Sequence, residues 1–500
     1  MIVGQSKIRV QTVSFATILS LLMCSVLQRP RAAYKIKFSL AGKSVYFVMV
    51  DRFAHPDEAA GECKDDVWCG GNLAALIKRL DYISDMGFDC IWVTPVVEQI
   101  TGTNCIGSWC GTGYHGYWAQ NFFHIDPRFG STDDMKALSH EIHLRGMSLL
   151  YDIVINHVRP VHSSEDLATI VPFNQPPHFN LLGKLTSESF DDYLQRPGVP
   201  PNAISTFGCC GCSAGDMLCS GAEGYNDTIV ERGWFFDLAD LNHSNTFVAS
   251  ELSRWIGEMV TNYSIDALRL DTAPYVPRDF LRDFRRSAGV EIFGEVTTSN
   301  YSFLASYQKV LGGVINFKLG HAIREAFCPS QEAAFAGERF ASNRSKFTGG
   351  STFSGGSLFS GGSSFSSSSS SFSGDGEGQA SLVASARRVA MILGEMTHAE
   401  SAGLLTPDLM VNLIDSHDMS RVAHKCGGDL VRVSNAVALM IMLPGISMVM
   451  YGTEWGFAYD QPHTRASLWT SRFNVTAAPL YELARAAELI AKKKRKRKSA

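Results

Sequence analysis

Residues 247–271 read FVASELSRWIGEMVTNYSIDALRLD, and the fold class follows from this stretch. Phe247–Val260 carries apolar residues at helical spacing and predicts an amphipathic helix. Ile265–Leu270 is short and apolar, predicts a buried strand, and ends on a carboxylate, Asp271. The same unit recurs in both directions. Upstream, Ser44–Asp51, Cys90–Val97 and Ser148–Ile155 are strand-like. Between them lie two helical stretches. Leu73–Met86 has Leu73, Leu76, Ile77, Leu80 and Ile83 on one side, and Thr132–Arg145 is opened by Ser131 or Thr132. Downstream, Val290–Gly294 and Leu409–Ile414 continue the alternation. A strand–helix–strand rhythm implies an α/β fold with a parallel sheet. Polar residues cluster just after the strands, which fits a (β/α)8 TIM barrel with its site at the carboxyl ends.

Two segments interrupt the rhythm. Residues 157–233 are too long for a loop after the third strand and are rich in Pro, Gly and Cys, so they predict a small inserted subdomain. Residues 349–378 form a Ser/Gly/Phe tract whose composition cannot pack a core, predicting a flexible surface insertion. The expected organisation is therefore a signal at 1–33 and barrel segments at 34–156 and 234–491. The subdomain falls between them, and a basic tail follows at 492–500.

The bulk composition agrees with a globular enzyme. Hydrophobic residues make up 45% of the 500 and charged residues 19%. The net charge is −4, and seven of the positive charges lie in Lys492–Lys498, so the body is more acidic still. An acidic body argues against a nucleic-acid partner. Lys7 and Arg9 precede the apolar run Val13–Leu27, which is shorter than the ~20 residues of a spanning helix. It reads as a secretory signal ending near Ala32-Ala33, with membrane attachment only if it stays uncleaved. Secretion is the expected destination, the lumen of the secretory pathway or a vacuole the alternative. A monomer is expected.

Cysteine usage agrees. Of 12 cysteines, Cys24 lies in the signal, and the odd remainder predicts a free thiol. Cys90, inside an apolar run, is the candidate. Cys63/Cys69 and Cys105/Cys110 can close small loops, and Cys209, Cys210, Cys212 and Cys219 form a cluster for which disulfides are the ordinary outcome. Asn-x-Ser/Thr acceptors stand at Asn226, Asn242, Asn262, Asn300, Asn343 and Asn474.

Four short segments carry the chemistry. Asp152-Ile-Val-Ile-Asn156-His157 sends Asp152, Val154 and Asn156 to one side by alternation. Arg269-Leu-Asp271 puts a cation and a carboxylate on one face, an arrangement expected to keep the carboxylate ionised. In Phe293-Gly294-Glu295 the glycine is expected to leave room for a bulky ligand. Asp415-Ser-His417-Asp418 closes an apolar strand. Carboxyl groups facing each other across a sugar are what glycosidic cleavage requires, one as acid and one ionised.

Taken together, these segments resemble the signature regions of the α-amylase family, glycoside hydrolase family 13, in its fungal type. Tyr46-Phe-Val-Met-Val-Asp51-Arg52-Phe53, Cys69-Gly-Gly, Trp92-Val-Thr-Pro95, Tyr114-His115-Gly116-Tyr117-Trp118, Asp237-Leu-Ala-Asp240-Leu-Asn242 and Tyr451-Gly-Thr-Glu454 match as well. The resemblance implies Asp271 as nucleophile, Glu295 as general acid/base and Asp418 as the third carboxylate. It implies that Arg269 orients Asp271, that His157 and His417 donate to the sugar, and that Tyr117 stacks on it. Trp118 and His115 would line the cleft, and Arg465 with Asp460 would hold the next sugar. It further implies a structural Ca²⁺ on Asn156, Asp240, Asp227 and the backbone carbonyl of Tyr275, all oxygen ligands suited to a hard cation.

Two departures stand out. Pro274-Tyr275 occupies the place of a Lys-His pair in related amylases, so leaving-group contacts are expected to differ. Leu483–Ala491 resembles the last barrel helix and the chain then stops, so the family's C-terminal β-sandwich is expected to be missing. The implied activity is retaining endo-hydrolysis of α-1,4-glucosidic bonds in starch- or glycogen-type glucans. A transglycosylase or α-glucosidase of the same family is the near alternative. A non-catalytic glycan-binding or membrane-anchored relative is the distant one.

Overall fold

The computed structural model describes residues 38–63, 66–106, 109–181, 189–196, 227–234, 237–328, 375–460, 463–482 and 485. The expected signal, the Cys209–Cys219 cluster, residues 349–374, nearly all of the expected last helix and the basic tail lie outside this set.

Eight strands close a parallel barrel in sequence order. They are β1 Ser44–Val48, β2 Cys90–Val93, β3 Ser148–Ile153, β4 Ala267–Leu270, β5 Glu291–Gly294, β6 Gly312–Ile315, β7 Met410–Leu413 and β8 Ile446–Met450. β8 pairs back on β1, with Val45 opposite Met448. Nearly every strand residue is buried, as expected when side chains fill the barrel on one face and meet the helices on the other.

β6 and β8 fall outside the runs read from sequence. β6 begins with two glycines, which dilute its apolar signal. β8 follows the apolar helix Leu430–Met442 so closely that no change of period marks it. The helix expected over Leu73–Met86 is two helices, Leu73–Ile77 and Leu80–Met86, the first capped by Asn72. The helix after Ser131 runs Thr132–Leu144, with Ser131 and Asp134 forming a capping box. Asp375–Gly378, counted with the low-complexity tract, open the helix Asp375–Ser401.

Two excursions matter for the site. After β2, Val97–Gln99 pairs antiparallel with Ala119–Ile125 and brings Tyr117 and Trp118 over the barrel mouth. After β3, His157–Pro160 pairs antiparallel with Leu238–Asp240, so the chain leaves and returns between them. Disulfides join Cys63–Cys69 and Cys105–Cys110, and Cys90 is a buried free thiol. A third disulfide, Cys328–Cys426, spans 98 residues and could not be paired from sequence. Among the described residues, no helix is long and apolar enough to cross a membrane.

Candidate active site

Register builds the centre of the site. Arg269 on β4 stands opposite Asp152 on β3, and the ladder continues past the strand ends. Asp271 N donates to Ile153 O (2.9 Å) and Glu295 N donates to Leu270 O (2.9 Å). Arg269 is 2% exposed and binds three carboxylates. Its Nη1 donates to Asp152 Oδ1 (2.9 Å) and to Asp271 Oδ1 (2.8 Å), and its Nη2 donates to Glu295 Oε2 (2.6 Å). Asp152 also accepts from Trp92 Nε1 (3.0 Å) and Tyr117 OH (2.8 Å). The turn after Asp271 holds Thr272 at φ +44°, a left-handed conformation uncommon for threonine. There Thr272 N donates to Glu295 Oε2 (3.1 Å), and its hydroxyl to Asp271 Oδ2 (3.3 Å).

One buried cation cannot neutralise three buried acids. Burial pushes Asp271 up to about 6, with Asp152 and Asp418 adding repulsion against the pull of Arg269. Arg269 therefore does not hold Asp271 at an ordinary carboxylate value. Burial pushes Glu295 further, to about 8, with the charges of Asp271 and Asp418 adding to it. A hydrogen bond from Glu295 favours the ionised form of Asp271. The proton thus resides on Glu295.

Asp418 has its own supports. Arg465 Nη2 (2.9 Å) and His417 Nε2 (3.1 Å) contact its carboxylate. Partial desolvation in the cleft opposes the charge of its half-exposed carboxylate, but His417, Arg465 and Arg269 outweigh that and hold Asp418 below the usual range. The His417 ring stacks on Tyr117, centroids 5.2 Å apart and nearly parallel. Burial depresses His417 to about 3 and His157 to about 4, so both rings are neutral. Tyr117 is fixed by its own backbone: its N donates to His115 Nδ1 (3.0 Å) and its carbonyl meets His157 Nε2 (3.2 Å).

These groups line one cavity of about 520 Å³. It brings together Asp271, Glu295, Asp418, His115, Tyr117, Trp118, His157, His417 and Arg465, with Arg269 behind the carboxylates. Asp460 is not among the lining residues. It is exposed and engages His424 and Ser420. Gly294 serves packing rather than a ligand, because a Cβ there would lie 2.4 Å from Leu311 Cδ1. Reading the sequence missed Phe317 and His321, which reach the cavity from helix Phe317–Phe327 after the unread strand β6.

Of the expected cation ligands, Tyr275 also lines this cavity, whereas Asn156 and Asp240 do not. Asn156 and Asp240 are fully buried. The Asn156 amide faces Asp240 Oδ1 at 2.9 Å and the Tyr275 carbonyl at 3.0 Å. With its oxygen turned inward, three oxygens converge, which suits a hard cation; with its nitrogen inward, the amide donates to both. Burial drives the Asp240 carboxyl well up, against one hydrogen bond from Asn180 Nδ2 (2.7 Å). Asp227 opens helix Asp227–Arg232, and its side chain is outside the described set. Among the described residues, no group of three or more His, Cys, Asp or Glu side chains could hold a metal.

A closed parallel barrel with its acids grouped at the carboxyl ends of the strands defines a TIM-barrel enzyme. Residues 47–493 match the α-amylase catalytic domain, and the chain belongs to that family, as an α-amylase-type glycoside hydrolase. It is 29% identical over 471 residues to the α-amylase of Saccharomycopsis fibuligera, covering 92% of this chain and 76% of that one. Against α-amylase 2 of Schwanniomyces occidentalis it is 29% identical over 440 residues, 87% of this chain and 68% of the other. The structure resembles an α-amylase from Malbranchea cinnamomea, with a TM-score of 0.64 and 27% identity, covering 90% and 77% of the two chains. The cyclomaltodextrin glucanotransferase CldA shares the fold, with a TM-score of 0.60 and 22% identity, covering 90% and 80%.

Gly116 gives the geometry a direct test. It has φ +92°, and a Cβ would come within 2.2 Å of Pro95 O. Gly116→Ala is expected to cost about 1–3 kcal/mol of stability by denaturant titration. It should also lower activity by shifting Tyr117; wild-type values for both would refute the constraint.

Proposed function

We propose that this enzyme hydrolyses α-1,4-glucosidic bonds within starch- or glycogen-type glucans, with retention of anomeric configuration. The supporting observation is the pairing of Asp271 and Glu295 on opposite nitrogens of one guanidinium, at 2.8 and 2.6 Å. Two carboxyls that share one guanidinium, with a hydrogen bond from Glu295 to Asp271, favour direct attack by Asp271; an inverting enzyme needs roughly 6.5–9.5 Å between its carboxyls to admit water. Asp271 attacks the anomeric carbon while Glu295 protonates the departing oxygen. Glu295, now ionised, then takes a proton from water, which releases the sugar from Asp271. Asp418 accepts hydrogen bonds from sugar hydroxyls near the transition state. Neutral His157 and His417 would each turn their single N–H, now on the Tyr117 carbonyl and on Asp418, to the same sugar when it binds; Tyr117 stacks beside it, and Trp118 and His115 wall the cleft. Arg465 reaches the neighbouring sugar while holding Asp418.

A second reading, transfer to an acceptor sugar, is favoured by Pro274, Tyr275 and Phe317, an apolar wall of the same cavity. Product analysis on starch separates the two: short linear oligosaccharides support hydrolysis, and larger or cyclic products support transfer. Disulfides suit an oxidising compartment and support secretion.

Asp271→Asn is expected to lower kcat by several orders of magnitude. Equal activity of variant and wild type on soluble starch would sink the enzyme assignment.

The pH profile of kcat/KM should be bell-shaped. Asp271, raised to about 6, must be ionised, so activity falls as pH drops through that value. Glu295, raised to about 8, must be protonated, so activity falls as pH rises through that value. An optimum below pH 5, or a profile still rising at pH 9, contradicts these roles.

The oxygen set of Asn156, Asp240 and Tyr275 would hold a calcium ion, whose contribution is to neutralise Asp240 and tie the inserted segment to the barrel. Adding Ca²⁺ to chelator-treated protein is expected to raise Tm, and Asp240→Asn to abolish the rise. An unchanged Tm in the wild type would reject the site.

A further inference from the structure

Asp418 sits on the loop between β7 and the short helix Val422–Lys425. On the Arg465 side the backbone is held at the carbonyl of His417, which accepts from Arg465 Nε (3.0 Å) and Thr464 Oγ1 (3.3 Å). That backbone is gripped from the other side by helix Phe317–Phe327. Arg324 of this helix is 6% exposed, and its guanidinium reaches both ends of the loop. Nη1 donates to the carbonyl of Ile414 (2.7 Å), just before the loop, and Nη2 donates to the carbonyl of Ser420 (2.8 Å), just after Asp418. The same Nη1 lies 3.5 Å from Asp415 Oδ1 and 3.8 Å from Met419 Sδ.

Asp415 relays the grip. Its Oδ1 accepts from Val422 N (2.6 Å) and its Oδ2 accepts from Thr453 Oγ1 (2.8 Å), joining the loop to the segment after β8. Two further ties hold helix and loop in register. Lys425 pairs with Glu325 at 2.6 Å, and the disulfide Cys328–Cys426 joins the residues that follow the two helices.

We propose that Arg324 is a positioning residue for Asp418. It acts through the loop backbone and touches no substrate. The planar fork of a guanidinium binds two carbonyls in a fixed direction, which an ammonium cannot do. This inference rests on the role given to Asp418 in glucan hydrolysis.

The experiment uses the full chain and its Arg324→Met, Arg324→Lys and Asp418→Asn variants, plus the Arg324→Met/Asp418→Asn double variant. kcat and KM are measured on maltoheptaose, with folding checked by circular dichroism. Arg324→Met is expected to lower kcat by about 100-fold, the scale of a 1 Å misplacement. KM should stay within about threefold, since binding elsewhere in the cleft is untouched. Arg324→Lys should fall between Arg324→Met and wild type. The double variant should match Asp418→Asn alone, because a residue acting through Asp418 has nothing further to lose.

Folded Arg324→Met with wild-type kcat, or a double variant whose losses multiply, overturns the proposal. If Arg324→Met does not fold, Arg324→Lys and its own double variant supply the same comparison. If wild type and Asp271→Asn are equally inactive on glucans, it is the proposed function that fails. Crystal structures of Arg324→Lys and wild type then decide the positioning role. Displacement of the Asp418 carboxylate by about 1 Å or more supports it, and an unmoved carboxylate overturns it.

Discussion

The site depends on one buried cation shared by three acids. Arg269 offers a planar fork of donors, and Asp152, Asp271 and Glu295 occupy it from three neighbouring strand ends. Burying an ion costs several kcal/mol unless it is paired, so the arginine and the acids require one another. The charges still do not balance. The excess negative charge is relieved by a proton, and burial with the nearby charges puts it on Glu295 rather than Asp271. The difference in proton affinity between the two therefore arises from placement, since both are carboxyl groups on the same guanidinium.

Other features keep this fork from shifting. The register of β3 and β4 sets Asp152 beside Arg269, and Trp92 and Tyr117 both donate to the other oxygen of Asp152, Oδ2. The left-handed turn at Thr272 points a backbone N–H at Glu295. Across the cavity, Arg465 holds Asp418 in a second cation–carboxylate contact that arises from β7 and the segment after β8. The cavity is the space between these two charged assemblies, floored by neutral histidines and walled by Tyr117 and Trp118.

Much of this was legible along the chain. Asp271 and Glu295 close apolar runs and Asp418 ends the polar cluster that follows one, and the ends of parallel strands are where a barrel gathers its chemistry. His417, Tyr117, Trp118 and Arg465 were carried by the resemblance and do line the cavity. Phe317 and His321 were not found, because β6 opens with Gly312 and Gly313 and gives no strand signal. Asp152 was placed at a strand end but given no partner. Alternation predicts which face a residue takes and says nothing about which residue of the next strand stands opposite. For the same reason Gly294 was assigned to a ligand, whereas Leu311 fills the space. Asp460, expected beside Arg465, turns instead to His424 and Ser420.

The sequence by itself determined the class of fold and singled out the acids at the strand ends. Hydrophobic period and strand-end carboxylates are local properties, written in consecutive residues. The tertiary structure decided what those acids are worth chemically. Which carboxyl keeps the proton depends on burial and on charges brought together from residues 152, 269, 271, 295 and 418. So does the grip of Arg324 on a loop some 90 residues away, and the Cys328–Cys426 bridge beside it. These are electrostatic and covalent relations between distant segments. They exist only once the barrel has closed and set their distances.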